Sequence, residues 1–172
     1  MRNVIASNRV AWLAAGLVAG LAIAALWRSE PTYANTGDRD TQFSMATIPV
    51  GTSAAGINDP MDGVLILDFL TGQLKGAVLN RQSGQFVSFY SRDLAKDFDV
   101  GNADPHYCMV TGYAQLPSAQ GATMASGVVY IGELNSGKVI AYGFPWKETG
   151  FPEPLPLQAI SWFPWKAPQK GK

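Results

Sequence analysis

The sequence predicts an all-β domain built from two tandem four-stranded units, preceded by one N-terminal apolar helix that is either a transmembrane anchor or a signal peptide. Three observations support this prediction. An uncharged run of eighteen residues lies near the N-terminus, and one hairpin pattern occurs twice, 65 residues apart. The chain also contains 18 glycines and 11 prolines but few segments with helical periodicity, which is typical of strands and turns.

The N-terminal helix is predicted from the uncharged run at residues 10–27, which lies between Arg9 and Arg28. At 1.5 Å per residue such a helix is about 27 Å long, close to the roughly 30 Å thickness of the bilayer hydrocarbon. Basic but no acidic residues precede it, so residues 1–9 are expected to stay in the cytoplasm. The rest of the chain is then exported to the periplasm or the outside.

Two fates of this helix remain open. Tryptophans near both ends of the run favour retention as a single-pass anchor in the cytoplasmic membrane. Cleavage after Ala34 by a signal peptidase would instead release a secreted domain. Gly16 and Gly20 form a GxxxG pair through which two anchors could pack closely in lipid, although signal peptides also contain this pattern by chance.

Composition limits what the exported part can be. About 130 residues follow the first 40, enough for one domain with its own core. The net charge is zero and the basic tail at 166–172 is short, so nucleic acid is not expected as a partner. The single Cys108 cannot form an intramolecular disulfide, so packing or assembly must hold the domain together.

The domain is predicted over residues 42–165, with units at 42–105 and 106–165. Residues 28–41 are polar and lack periodicity, which is typical of a flexible linker. Strands are predicted near 43–49, 63–69, 73–80, 84–90, 106–115, 127–133, 138–144 and 157–163. One short helix is predicted at 92–98, with Leu94, Ala95 and Phe98 on one face.

A shared hairpin identifies the two units. Residues 64–74 (VLILDFLTGQL) align without gaps with residues 129–139 (VYIGELNSGKV). The acidic residue of each copy, Asp68 or Glu133, is expected to accept hydrogen bonds from turn amides, and the glycine after it supplies the positive φ of the turn. The two carboxylates could also form an acid/base pair, but their recurrence at a turn favours the structural role.

The hairpin pattern V-x-x-x-D/E-x-x-T/S-G-x-L/V resembles the outer strands of β-propeller blades, particularly those of quinoprotein-like repeats. With its Met-x-Thr strands at 45–47 and 109–111 and the segments LDFLTG, PHYCMVTG and AYGFPW, the domain also looks like an uncharacterised bacterial family of short, signal-anchored proteins. These resemblances imply architecture and export but no activity. Neither copy contains the paired Trp docking motif of quinoprotein blades, which argues against a quinone cofactor.

Closure of the fold has two solutions. Two blades cannot complete a propeller, whose rings contain roughly four to eight. Either three or four chains assemble, or the eight strands close within one chain as a small barrel or sandwich. Closure within one chain removes exposed strand edges and is the favoured solution, with a partial propeller as the alternative.

Two groups of residues could bind a metal. Asp97, Asp99, Asn102 and Asp104 form an oxygen-rich loop suited to calcium outside the cell, although the spacing misses an EF-hand and turn capping is the alternative role. His106 and Cys108 would share a strand face, as metal ligands or as base and nucleophile. The alternative is a buried, unreactive Cys108 beside a histidine that bonds at a strand end.

An aromatic, proline-rich segment ends the domain. Its candidate binding residues for a glycan, a Pro-rich peptide or an envelope protein are Trp146, Phe151, Trp162 and Trp165. The same rings could instead complete the packing of the fold.

The predicted function is that of a binding or scaffolding module in the bacterial envelope, without a cofactor apart from the candidate calcium ion. The chain contains no serine nucleophile elbow, P-loop or dinucleotide fingerprint, so catalysis is not indicated. The alternative is a subunit of an oligomeric, propeller-type enzyme assembly that carries a metal or quinone.

Overall fold

The computed structural model describes residues 12–22, 37–51, 61–100, 104–117, 123–147 and 149–166. The chain divides into two units, Met1–Ala34 and Asn35–Lys172. In the first unit, residues 12–22 form helix α1. None of the helices in the described ranges combines the length and the apolar character needed to cross a membrane. The remainder of the predicted span and the predicted cleavage site at Ala34 lie outside these ranges.

The second unit consists mainly of strands. In chain order its elements are β1 (Gly37–Arg39), β2 (Phe43–Gly51), β3 (Met61–Asp68), β4 (Gln73–Asn80), β5 (Gln85–Asp93), α2 (Leu94–Phe98), β6 (Tyr107–Tyr113), β7 (Gly127–Glu133), β8 (Lys138–Gly143), β9 (Leu155–Pro156) and β10 (Gln158–Pro164). One sheet has the order β1-β2-β3-β4-β5-β9 and the other β10-β8-β7-β6. Only the pairing of β5 with β9 is parallel among the described strands.

The all-β prediction is confirmed, and the eight predicted strands correspond to β2 to β8 and β10. β1 and β9 have no counterpart in the prediction, and β1 falls within the residues predicted to form the linker. Helix α2 lies inside the predicted helix and buries Leu94 and Phe98. Ala95 is exposed, so its predicted place on the same buried face is wrong.

The strands form two open sheets, so the predicted closure into a barrel within one chain is wrong. β1 and β9 pair with the outer edges of β2 and β5, the edges through which the first sheet would have to close onto the second. The second sheet packs instead on one face of the first. In β3, buried Leu65 and Leu67 alternate with Val64 and Ile66, so both faces of the strand are apolar and one of them stays uncovered.

Each sheet contains a four-stranded antiparallel meander, formed by β2 to β5 in one and by β6, β7, β8 and β10 in the other. The first two strands of each meander pair with each other in the same register. Thr47 lies opposite Val64 in the first, and Thr111 lies opposite Val129 in the second. The threonines are 64 residues apart and the valines 65, which matches the spacing of the sequence pattern.

The core lies between the two sheets and includes residues from both meanders and from α2. Hydrogen bonds also join the sheets, among them one from Arg39 Nη1 of β1 to the Tyr107 carbonyl of β6 at 3.2 Å and two at β2 near the core. The Thr111 hydroxyl donates to the Thr47 carbonyl at 2.8 Å, and the Ser126 N–H donates to the Val50 carbonyl at 3.1 Å. The sheets are therefore held mainly by apolar packing, with side-chain and single backbone contacts where β2 approaches β6 and β7.

Candidate binding surface

The turn after β3 shows how the recurring acidic residue is used. Asp68 Oδ1 accepts from the Leu70 N–H at 2.8 Å, and Oδ2 accepts from the Thr71 hydroxyl at 2.7 Å. Gly72 follows with φ 66°, and its N–H donates to the Asp68 carbonyl at 2.9 Å. The hydrogen bond from Thr71, with those of the turn amides, holds the pKa of Asp68 below its ordinary value. The predicted turn role is confirmed.

Glu133 has the equivalent role in the turn after β7, but its side chain is fully buried. Its Oε1 accepts from the Asn135 N–H at 2.9 Å and from the His106 N–H at 3.2 Å, and Oε2 accepts from the Ser136 N–H. Burial alone would raise the pKa of Glu133, but the amides of Ser136, Asn135 and His106 outweigh it and the pKa is lowered. Glu133 is therefore an ionised structural group.

A third turn, between β4 and β5, uses an amide in place of the carboxylate. Asn80 Oδ1 accepts from the N–H groups of Gln82 and Ser83, both at 2.9 Å. Gly84 follows with φ 66°. At this turn a neutral side chain supplies the acceptor oxygen.

Asp97, the first calcium candidate, is held in an ion pair between the sheets. Arg92 of β5 donates through Nε and Nη2 to both carboxylate oxygens, each at 2.7 Å. The Tyr142 hydroxyl of β8 donates to Oδ2 at 2.8 Å. Burial would raise the pKa of Asp97, but the hydrogen bonds from Arg92 and Tyr142 outweigh burial and hold the pKa below its ordinary value. This network ties α2 to both meanders.

The other calcium candidates do not join Asp97 in one cluster. Asp99 caps the end of α2 with φ 52°, and the main-chain oxygen of Asp104 accepts from Asn135 Nδ2 at 2.8 Å. Asn102 lies outside the described residues. In the ranges that the structure describes, no group of three or more His, Cys, Asp or Glu side chains is placed to hold a metal ion. Calcium binding stays a prediction.

Replacing Asp97 with Asn is expected to lower the free energy of unfolding by about 2 kcal/mol, because Arg92 would keep its charge and lose its carboxylate partner. The matched variant Asp99→Asn changes an exposed residue with φ 52°, a conformation that Asn tolerates, so we expect less than about 0.5 kcal/mol. Denaturant unfolding with EDTA and with calcium measures both. A loss at Asp97 that appears only with calcium would make Asp97 a metal ligand instead.

His106 and Cys108 occupy different environments. His106 donates its main-chain N–H to Glu133, which agrees with the strand-end interpretation. Cys108 is exposed, so its predicted burial is wrong. It contributes to a groove of about 550 Å³ between β1 and β6. A pairing of the two side chains in one site stays a prediction.

The tryptophan candidates separate into a packed and an exposed set. Trp146 is half-buried and packs on Gly51, where a Cβ would lie 2.5 Å from Trp146 Nε1. The main-chain N–H of Trp146 donates to the Thr123 carbonyl at 2.8 Å. Phe151 is also half-buried, with Lys147 Nζ 4.8 Å from its ring centroid. Trp146 therefore serves the packing of the fold, the alternative role for these rings.

Trp162 and Trp165 lie at the exposed edge of the second sheet. The exposed fractions are 60% for Trp162, 56% for Phe163 and 48% for Trp165. Phe163 was not among the predicted site residues, although the run Trp-Phe-Pro-Trp contains it. We call Trp162, Phe163 and Trp165 the β10 surface.

Charged groups border the β10 surface. Lys138 Nζ lies 5.7 Å from the Trp162 ring centroid, and Lys166 Nζ lies 5.0 Å from that of Trp165. A groove of about 230 Å³ beside Trp162 is lined in part by Asp97 and Ile140. The surface thus combines large rings with cations and one carboxylate, a composition found at protein interfaces.

Gly16 and Gly20 lie in α1, one helical turn apart. A Cβ on either would meet no atom within 4 Å. Their role in dimerisation stays a prediction.

No family model matches the sequence, and no curated protein or solved structure is significantly similar to it.

Proposed function

We propose that this protein is a binding module of the bacterial envelope, held at the outer face of the cytoplasmic membrane by its N-terminal segment. In this proposal the domain binds an extended segment of a partner protein along β10. The observation that carries the proposal is the position of the β10 surface on an edge strand whose residues from Ala159 to Pro164 are all exposed.

Strand addition is the binding mode that fits this edge. β10 pairs with β8 on one side, and no other described strand pairs with its second side. An edge strand presents backbone N–H and C=O groups that an extended peptide can complete, while side-chain pockets supply selectivity. The rings of the β10 surface flank the edge and would cover the added strand.

A protein partner agrees with the contacts better than a glycan. Lys138 and Lys166 approach the ring centroids of Trp162 and Trp165 within 6 Å, and sugars would need those ring faces for stacking. The carboxylates whose pKa values are lowered serve structure. Glu133 is committed to its turn and Asp97 to Arg92, which supports binding over acid/base chemistry.

A photocrosslinking amino acid at position 162 of the full-length protein in intact cells tests the proposal. We expect a discrete crosslinked product with one envelope protein. Trp165→Ala should weaken the product about tenfold, because an exposed aromatic anchor contributes more than about 1 kcal/mol to binding. The matched control places the crosslinker at position 70, where Leu70 is 75% exposed in the turn after β3. Equal products from positions 162 and 70, or no effect of Trp165→Ala, would contradict the proposal.

A further inference from the structure

Each sheet has a second apolar face that the other sheet does not cover. On the first sheet this face contains the apolar residues Met45, Val64, Ile66, Ala77 and Phe89 and one cation, Lys75, which lie opposite one another in the register of β2 to β5. Met45 and Ile66 are each 42% exposed and Phe89 is 49% exposed. We call it the first outer face.

The second sheet has a corresponding face. It contains Cys108, Val110, Tyr130, Val139 and Ala141. Val110 is 61% exposed, and Cys108 and Tyr130 are exposed as well. A Cβ at Gly132 would lie 2.8 Å from Cys108 Sγ and 3.7 Å from Val139 Cγ2, so these residues share one side of the sheet. We call it the second outer face.

The two sheets contact each other through non-equivalent faces. Leu65 packs between the sheets, whereas its counterpart 65 residues on, Tyr130, lies on the second outer face. Conversely, Val129 packs between the sheets, whereas its counterpart Val64 lies on the first outer face. The contact inside the chain is therefore head to tail. It joins one face of the first meander to the opposite face of the second.

A head-to-tail contact can be repeated by further copies of the same unit. The second outer face is equivalent to the covered face of the first meander, and the first outer face is equivalent to the covered face of the second meander. The two outer faces are thus the two halves of a contact that already exists inside the chain. Monomeric soluble proteins rarely expose large apolar patches, so we expect a partner to cover both outer faces. This exported domain also has no disulfide to hold it together.

We propose that identical chains assemble head to tail into a closed ring, with the second outer face of each copy packed on the first outer face of the next. Two to four copies would supply four to eight meanders, the range in which propeller rings close. The assembly does not depend on the proposed function. Phe163 lies opposite Val139 and shares the second outer face, but Trp162 lies opposite Ile140 on the other side of the sheet, and the unpaired backbone edge of β10 stays accessible.

Native mass spectrometry of the full-length protein in detergent tests the ring. We expect a mass of two to four chains for the wild type. Ile66→Glu on the first outer face and Val110→Glu on the second should each give monomers, because every interface of the ring loses one half. The exposed control Leu70→Glu, outside both faces, should keep the wild-type mass. Gly16→Leu should keep it as well, which excludes assembly through the anchor.

Mixing the two monomeric variants is the decisive step. Ile66→Glu keeps an intact second outer face and Val110→Glu keeps an intact first outer face. They should form a one-to-one heterodimer and nothing larger, since only one interface can be made. Met45→Glu replaces Ile66→Glu if circular dichroism shows that the latter is unfolded. A monomeric wild type, or folded variants that do not pair, would overturn the proposal. Photocrosslinks from position 162 that persist in the monomers would show that partner binding survives separately.

Discussion

Replacing Gly127 with Ala is expected to lower the free energy of unfolding by about 3 kcal/mol. A Cβ at this position would overlap the main-chain oxygen of Pro49 and the side chain of Ile48. The oxygen belongs to the backbone of β2, which the adjacent bond from the Ser126 N–H to the Val50 carbonyl holds in place. Relief of the overlap would therefore require the two sheets to move apart.

The matched control is Gly37→Ala in β1. Its Cβ would meet its nearest neighbour, the main-chain oxygen of Met45, at an ordinary 3.4 Å. We expect a change within about 0.5 kcal/mol. Chemical denaturation followed by circular dichroism measures both variants. Equal midpoints for Gly127→Ala and wild type would contradict the close approach of β7 to β2.

Replacing Glu133 with Ala is expected to cost about 3 kcal/mol, since three N–H groups would lose the buried carboxylate that accepts from them. These belong to Ser136, Asn135 and His106. Gln keeps one acceptor oxygen, as Asn80 does at the turn after β4, and should recover about half of the loss. Asp68→Ala is the control, because the equivalent turn after β3 is exposed and water can replace its acceptor.

The pH dependence separates charge from shape at Glu133. Its pKa is lowered from the ordinary 4.5, so its carboxylate stabilises the fold above that value and the contribution is lost as pH falls below it. Wild type should therefore lose stability below pH 4.5 more steeply than Glu133→Gln, in which position 133 no longer titrates. Parallel acid unfolding curves for the two proteins would show that the charge does not contribute.

Much of the local structure could be predicted from the sequence. The hairpins of both meanders follow from apolar runs, an acceptor side chain and a glycine with positive φ, all within five residues of one another. The sequence identified only part of the β10 surface. Trp162 and Trp165 were identified from their type, but sequence could not separate them from Trp146, because exposure depends on which strand lies opposite.

Eight of the ten described strands, their turns and the repeated register could be predicted from the sequence, because these depend on contacts between near neighbours in the chain. The open sheets, the pairing of Asp97 with Arg92 and the apolar outer face of each sheet could be seen only in the folded domain. Strands such as β3 are apolar on both sides, so their pattern alone does not state which side is covered. That choice depends on packing between residues about 65 positions apart, which no local pattern encodes.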